Sequence, residues 1–176
     1  MEPDNPLLDR FVLSLAHSSH PRVCFLPTAS GDAEGYVARF YRAFAALDCR
    51  PTDLQLFTRT VGDLEAFVLA QDVVCVGGGN TASMLAPLHD GLGLLPGSAC
   101  PHFDGEEQRR PAFTRLVAAG ELADGWAADD GAALVFAGTE LDEVVASQPQ
   151  AAAYRVERTA GDGVDERALP ARYLGA

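Results

Sequence analysis

Residues 73–85 read VVCVGGGNTASML, and this stretch decides the fold. The apolar run VVCV at 73–76 is typical of a parallel strand that is covered on both faces. Glycines 77–79 follow directly, and a helix is predicted to begin at Thr81. Glycines let the backbone approach a ligand and a helix N-terminus carries a partial positive charge, so the loop suits a phosphate or an oxyanion. The alternative is a tight strand-to-helix turn, because the loop is neither a GxGxxG nor a P-loop motif.

Helices and strands alternate on the amino-terminal side of this stretch. Asn5-Pro6 predicts the start of a first helix, and Asp63 is the expected cap of a third. Between them, the sequence predicts a strand at 22–26, an amphipathic helix with Val37, Phe40, Tyr41, Phe44 and Leu47 on one face, and a strand at 54–57. The alternation predicts an α/β fold with a mostly parallel sheet flanked by helices and joined by right-handed crossovers.

The alternation breaks after Thr81. Only one helical turn fits before Pro87, and Gly91, Gly93 and Pro96 follow closely. A crossover between parallel strands needs a dozen or more residues, so the chain either changes direction here or has lost a unit. We predict that Pro87, Gly91 and Gly93 form a loop; either a change of direction or one missing central strand–helix unit would account for the break.

The carboxy-terminal part is predicted to be rich in strands. A strand at 98–103 and a helix at 108–119 come first, and short strands near 134–136, 144–145 and 154–156 follow as an antiparallel appendage. We find neither an internal repeat nor a low-complexity segment. The length of 176 residues predicts a single domain over 1–176.

The charge of the chain limits its partners. A formal net charge of -12 and an isoelectric point near 4.5 argue against nucleic acid, and an anionic membrane surface would repel the protein. No apolar run approaches the ~20 residues needed to span a bilayer, and no basic region precedes one near Met1. We expect a cytoplasmic protein that has no nucleic-acid or membrane partner.

The four cysteines carry no metal or redox signature. Cys24, Cys49, Cys75 and Cys100 are far apart and form no CxxC pair. We therefore expect buried reduced thiols, with no metal site and no cofactor. Among the histidines, His17 and His20 are expected in an exposed loop.

One histidine stands out by its surroundings. His102 lies in GSACPHFDGE at 97–106, after a proline at a predicted strand end and before acidic turn residues. Active sites of α/β proteins gather at such strand ends, and histidine is the side chain best suited to proton transfer near neutral pH. His102 is thus a candidate general base, with a structural role as the alternative.

These segments together resemble a known family. The stretch GGGNT after an apolar strand, PHF after a glycine-rich run and the opening MEPDNPLLDRFVLSLA are similar to peptidase E and its bacterial homologues. RVCFLPTASGD and ADDGAAL occur in the family's order, so the resemblance covers nearly the whole chain.

The resemblance implies a serine peptidase that acts on short peptides with an N-terminal aspartate. It implies a three-layer fold similar to the class I glutamine amidotransferase domain. His102 would be the catalytic histidine, Gly78 and Gly79 would provide the oxyanion hole, and substrate contacts would come from Asn80 and from Arg109 or Arg110. For the two arginines, the alternative is a solvated position on a helix face.

Two departures from the family pattern concern the chemistry. The family's helix after GGGNT leads to a strand and a GxSAG-like elbow with the nucleophilic serine, and then to the acidic residue of the triad; neither occurs here. Ser98 and Cys100 are the candidates to replace the nucleophilic serine, but neither lies on an elbow between a strand and a helix. The family's first glycine-rich strand is also missing before Met1.

Two functional hypotheses follow. The first is a peptidase E-like hydrolase by descent, whose activity is in doubt because acyl transfer needs a nucleophile. The second is a non-catalytic relic, or a module that binds an anion or small ligand at the GGGN loop. Loss of a central unit would expose apolar edges, which predicts repacking or self-association as a homo-oligomer. Both hypotheses place the GGGN loop and His102 at the same carboxyl edge of the sheet.

Overall fold

The computed structural model describes residues 4–58, 61–78, 95–161 and 163–175. The chain divides into two compact units, Met1–Leu92 and Gly93–Ala176, and each is described by itself. The single domain expected from the sequence stays a prediction. None of the helices in the described ranges is both long enough and apolar enough to cross a membrane.

The first unit is a parallel sheet with helices. Its described elements are α1 (Leu7–Ser14), β1 (Arg22–Leu26), a short 3-10 turn (Thr28–Ser30), α2 (Glu34–Phe44), β2 (Arg50–Asp53), α3 (Leu64–Leu69) and β3 (Val73–Val76). The strand order is β2-β1-β3, and both pairings are parallel. This confirms the mixed α/β class with a parallel sheet and flanking helices.

An aromatic cluster forms the core of the first unit. Phe25 of β1 stacks on Phe40 of α2 with ring centroids 5.0 Å apart, and Phe44 lies 4.8 Å from Phe40. All three side chains are buried together with Val23. The spacing of Phe40 and Phe44 places both on one face of α2, so burial of that face against β1 holds the helix to the sheet.

Local chemistry accounts for the ends of several elements. The Asp63 carboxylate accepts a hydrogen bond from the backbone N–H of Ala66 at 2.9 Å, so Asp63 is the N-terminal cap of α3, as predicted. Pro6 lies at the cap position of α1, one residue before the helix begins at Leu7. β1 and β3 have the bounds predicted from their apolar runs.

Two expectations for the first unit were wrong. The second strand covers Arg50–Asp53 rather than 54–57, because pairing with β1 begins opposite Arg22 and the apolar residues come after it. Leu54 is nevertheless buried. Within the described residues, β3 is covered on one face only, since Val74 and Val76 remain 38% and 51% exposed. Packing of the described helices therefore protects only one face of this strand.

The second unit contains one helix and two sheets in its described residues. Its elements are β4 (Ser98–Pro101), α4 (Arg109–Ala118), β5 (Gly125–Ala128), β6 (Ala132–Ala137), β7 (Glu140–Ala146), β8 (Ala153–Arg158), β9 (Val164–Leu169) and β10 (Arg172–Tyr173). One sheet has the order β9-β8-β5-β4, in which only β4 and β5 are parallel. The other has the order β10-β7-β6, with an antiparallel β6–β7 pair that is irregular between Val135 and Phe136. The strands predicted in this part are present, but the first ends at Pro101 rather than at 103, because the backbone turns at His102.

A second core lies between α4 and the four-stranded sheet. Phe103 and Phe113 meet edge-to-face with centroids 6.2 Å apart, and Val117, Ala127 and Val156 are fully buried beside them. Phe113 and Val117 are four residues apart and so share one face of α4. This core positions the segment that follows β4, which carries His102.

Part of the sequence-based prediction lies outside the described residues. The helix expected from Thr81, and the loop expected at Pro87, Gly91 and Gly93, fall within residues 79–94. Both stay predictions, as does the missing strand–helix unit.

Candidate functional site

His102 follows the last residue of β4 in a sharply turned segment. Its backbone has φ 56°, a left-handed conformation that is uncommon for a residue with a side chain. The next residue, Phe103, donates its N–H to the carbonyl of Ala128 at 2.9 Å and buries its ring in the core. The anchored Phe103 and the turn leave the His102 side chain 57% exposed at the end of the strand.

The structure brings Asp130 to His102. The Nδ1 atom of His102 is hydrogen-bonded to the Asp130 carboxylate, which is itself 48% exposed. Asp130 follows β5 by two residues, and β5 is the parallel neighbour of β4. The carboxyl ends of these two strands therefore meet at one edge, and each supplies one member of the pair.

Sequence reasoning had not included Asp130 among the site residues. The segment ADDGAAL was noted only as part of the family's order, although two acidic residues directly after a buried strand are themselves a signal. Which carboxylate meets His102 depends on the pairing of β4 with β5, and the two residues that meet, His102 and Asp130, are 28 positions apart in the sequence. Local pattern does not determine that register.

The neighbouring Asp129 points inward. It is 7% exposed, and its Oδ2 atom accepts hydrogen bonds from the Ala152 N–H at 3.1 Å and the Tyr154 hydroxyl at 3.3 Å. Its Oδ1 atom has no hydrogen-bond partner. Burial raises the pKa of Asp129 above its ordinary value, because desolvation disfavours the charged carboxylate. Asp129 thus holds the end of β5 against β8, while Asp130 faces His102.

Both arginines of the predicted substrate contact already have acidic partners. Arg109 donates to Glu106 at 2.6 Å, three residues earlier. Arg110 forms an ion pair with Glu166 of β9, and its guanidinium carbon lies 5.0 Å from the centre of the Phe103 ring. These hydrogen bonds raise the pKa of each guanidinium further. In this structure, Arg110 connects α4 to the sheet; a substrate contact stays a prediction for both residues.

The predicted oxyanion loop is only partly described. Gly77 donates its N–H to Leu26 at 2.8 Å, and a side chain there would meet the Phe25 ring at 2.7 Å, so this position requires glycine. Gly78 is exposed, and a Cβ atom on it would meet nothing within 4 Å. Gly79 and Asn80 lie outside the described residues. Gly78 belongs to the first unit and His102 to the second, so their common edge stays a prediction.

Neither substitute nucleophile is placed beside His102. Ser98 lies at the first residue of β4 and donates its hydroxyl to the Ala123 carbonyl at 2.6 Å. A strand rises about 3.3 Å per residue, which separates Ser98 from His102 by roughly 13 Å. Cys100 belongs to the core at 6% exposure, and burial raises the pKa of its thiol, which disfavours the reactive thiolate.

The pair itself is suited to proton transfer. With Nδ1 bonded to a carboxylate, the imidazole is held in one orientation and its Nε2 atom is left to accept a proton from an attacking group. Among the described residues, no group of three or more histidine, cysteine or acidic side chains is arranged to hold a metal ion. His102 is thus in a position to serve as a general base, with Asp130 as its orienting carboxylate.

Comparison with known proteins gives the class of this protein. The sequence model of peptidase family S51 matches residues 1–90 and 86–144, in two pieces that overlap at 86–90. This chain belongs to that family, and membership confirms the resemblance to peptidase E and supports a peptidase-like function.

A curated relative adds a second match. A Bacillus subtilis (strain 168) protein, named "Uncharacterized peptidase YgaJ", is 41% identical over 218 residues, which cover 99% of this chain and 94% of the relative. This aligned length exceeds the 176 residues of the chain, so the relative contains positions that have no counterpart here. No solved structure matches significantly.

Proposed function

We propose that this protein is a cytoplasmic peptidase E-like serine hydrolase by descent, with short peptides bearing an N-terminal aspartate as its substrate class. The proposal rests on one observation above all, the pairing of His102 with Asp130 at the ends of adjacent parallel strands. The proposal includes a second part: the chain as given retains the acid–base half of the catalytic machinery without the nucleophile.

The retained pair has a defined role in acyl transfer. His102 would accept the proton of an attacking hydroxyl at Nε2 and then deliver it to the leaving amine of the peptide. Asp130 would hold the imidazole and stabilise the positive charge that develops on it. Neither step attacks the scissile carbonyl carbon, so the pair alone leaves the acyl-transfer reaction incomplete.

Three observations support the loss of the nucleophile. The family's sequence model matches in two pieces that meet at residues 86–90, next to the predicted break in the fold. The relative has additional positions within its alignment. Ser98 is bonded at the far end of β4, and Cys100 is a buried thiol with a raised pKa. A short-peptide site without turnover is therefore expected for the chain as given.

The second candidate function is a non-catalytic module that binds an anion or a small ligand. The placement of Ser98 and Cys100 away from the exposed face of His102 favours it. Sequencing the gene across codons 79–94 tests the missing nucleophile, which both candidates assume. An intact GxSAG segment at that point would restore the nucleophile and favour an active hydrolase, whereas the present junction would be compatible with the module.

The direct test combines turnover with covalent labelling. The purified chain is incubated with an aspartyl chromogenic amide and, separately, with a serine-directed fluorophosphonate. We expect no labelling and turnover far below that of a complete family member, because removal of a triad nucleophile costs on the order of 10⁶ in turnover in the serine protease where it was measured.

Substitutions identify any replacement nucleophile. Robust turnover with stoichiometric labelling that disappears in Ser98→Ala would show that Ser98 attacks the substrate, and would overturn the second part of the proposal. Turnover that disappears only in Cys100→Ala would implicate the thiol. Asp142→Ala changes an exposed residue of β7 in the same unit and serves as the control.

A further inference from the structure

The turn that carries His102 also contacts Asp130 at two other points. The Asp104 carboxylate accepts the backbone N–H of Asp130 at 2.8 Å. Gly105 lies so close that a Cβ atom on it would be 2.6 Å from Oδ2 of Asp130 and 3.5 Å from Cβ of His102. We propose that Asp104 and Gly105 are positioning residues, which together place the Asp130 carboxylate on His102. The inference deepens the proposed function and rests on it.

Asp104 acts on the backbone of Asp130. The hydrogen bond from the Asp130 N–H to Asp104 joins the segment after β5 to the turn after β4, next to the backbone bond from Phe103 to Ala128. Two hydrogen bonds between these segments restrict the rotation of one segment against the other more than a single bond would. The side chain of Asp130 therefore leaves the backbone in a direction that reaches Nδ1 of His102.

Gly105 acts by leaving space. Its N–H donates to the His102 carbonyl at 3.2 Å, which closes the turn and brings its Cα towards the pair. The backbone of Gly105 does not lie in the left-handed region, so alanine would be compatible with its conformation. The added methyl group would collide with the end of the Asp130 side chain, which would turn away from His102 rather than unfold the protein.

His102 itself requires support. Its left-handed backbone is strained for a residue with a side chain, so the surrounding contacts must hold it. Phe103 anchors one side of the turn in the core, and the bonds of Asp104 and Gly105 hold the other. The turn thus fixes both members of the pair at once.

The test measures the tautomer of His102 rather than turnover, so its result is independent of the missing nucleophile. Side-chain ¹⁵N shifts of the histidines are recorded by NMR at about pH 8.5, well above the ordinary imidazole pKa. The His102 signals are assigned by their loss in His102→Gln. In the parent protein we expect a dominant Nδ1–H tautomer, because that hydrogen bonds to Asp130, and Asp130→Ala should make it the minor form.

Three variants then examine the positioning residues. Asp104→Ala should reduce the Nδ1–H tautomer towards the level of Asp130→Ala, whereas Asp104→Asn should restore it, because the amide oxygen still accepts the Asp130 N–H. Gly105→Ala should reduce it with little change in the urea midpoint. As controls, Asp142→Ala removes an exposed carboxylate of β7, and Gly35→Ala adds a methyl group where nothing lies within 4 Å; both should match the parent.

The tautomer of His102 in the parent and in the variants decides the positioning role. A parent tautomer that Asp104→Ala and Gly105→Ala leave unchanged would overturn the positioning role, even if His102 and Asp130 prove to be paired. If Asp104→Ala unfolds, the tautomer of His102 in Gly105→Ala decides the positioning role. A parent without the Nδ1–H tautomer would overturn the pair and the inference together. Robust turnover with the expected tautomers would overturn the missing nucleophile in the proposed function and leave the positioning role supported.

Discussion

The two units of this protein use their cores differently. In the first unit, the aromatic cluster of Phe25, Phe40 and Phe44 joins α2 to β1, and none of its rings adjoins a described site residue in sequence. In the second, Phe103 belongs to the core and directly follows His102. Packing in the second unit is therefore part of the geometry of the His102–Asp130 pair, whereas packing in the first joins α2 to β1 and reaches the GGGN loop only where Phe25 lies against Gly77.

The strongest test of this comparison is a pair of truncations, one in each core. Phe40→Ala and Phe103→Ala each remove a fully buried ring, and each should lower the free energy of unfolding by about 3–5 kcal/mol. Only Phe103→Ala should also alter the His102 side-chain ¹⁵N shifts under native conditions. Urea unfolding gives the first quantity and NMR the second. Equal changes of the His102 ¹⁵N shifts in both variants would show that the two cores do not differ in their effect on the site.

The thiols offer the next test. Burial raises the pKa of Cys24 to about 11 from an ordinary 9.0, and it also raises that of Cys100. At pH 8, the thiolate fraction of Cys24 should be about 100-fold smaller than that of an unperturbed thiol, because each unit by which the pKa rises lowers this fraction about tenfold. Reaction with iodoacetamide, followed by peptide mass spectrometry, should be slow for both and accelerate for Cys24 as the pH rises towards 11. Rapid labelling of Cys100 alone would indicate a reactive thiolate and would support Cys100 as the replacement nucleophile.

Substitutions of Asp129, the buried acid next to the site, test whether its role is structural. Asp129→Ala leaves the Ala152 N–H and the Tyr154 hydroxyl without their acceptor and should cost about 1–3 kcal/mol. Asp129→Asn keeps an acceptor and removes the buried charge, so it should be at least as stable as the parent at pH 7.

The pH dependence has a definite sign. The pKa of Asp129 is raised in the folded protein, so its favourable neutral form contributes fully below the ordinary 3.8 and is lost as the pH rises through the folded value. The urea midpoint at pH 7 minus that at pH 4 should thus be more positive in Asp129→Asn than in the parent. A less positive change in the variant would contradict this assignment.

The smallest expected effect concerns Arg110. Arg110→Met keeps an apolar stem over Phe103 and Tyr154 but removes the ion pair with Glu166, which is partly exposed, so the loss should be about 1 kcal/mol. Arg167→Met, an exposed position on β9, is the matched control and should be neutral. Loss of binding to an aspartyl dipeptide in calorimetry without loss of stability would favour the substrate contact instead.

The sequence by itself determined the α/β class, the family and the candidate histidine. β1 and β3 could be bounded because each is an apolar run that ends at a proline or glycine, and Asp63 could be recognised as a cap because its role involves only the next three residues. His102 could be identified for the same reason, since a proline before it and acidic turn residues after it are local features.

Only the tertiary structure decided the rest. β2 forms from Arg50–Asp53, which has no apolar run, because β1 offers a partner in that register; the side chains of the segment do not themselves show this preference. Asp130 becomes the partner of His102, and Asp104 the support of Asp130, because β4 and β5 pair in parallel and bring two distant turns to one edge. Local sequence predicts elements and caps, whereas hydrogen bonds between strands far apart in the chain select which side chains meet.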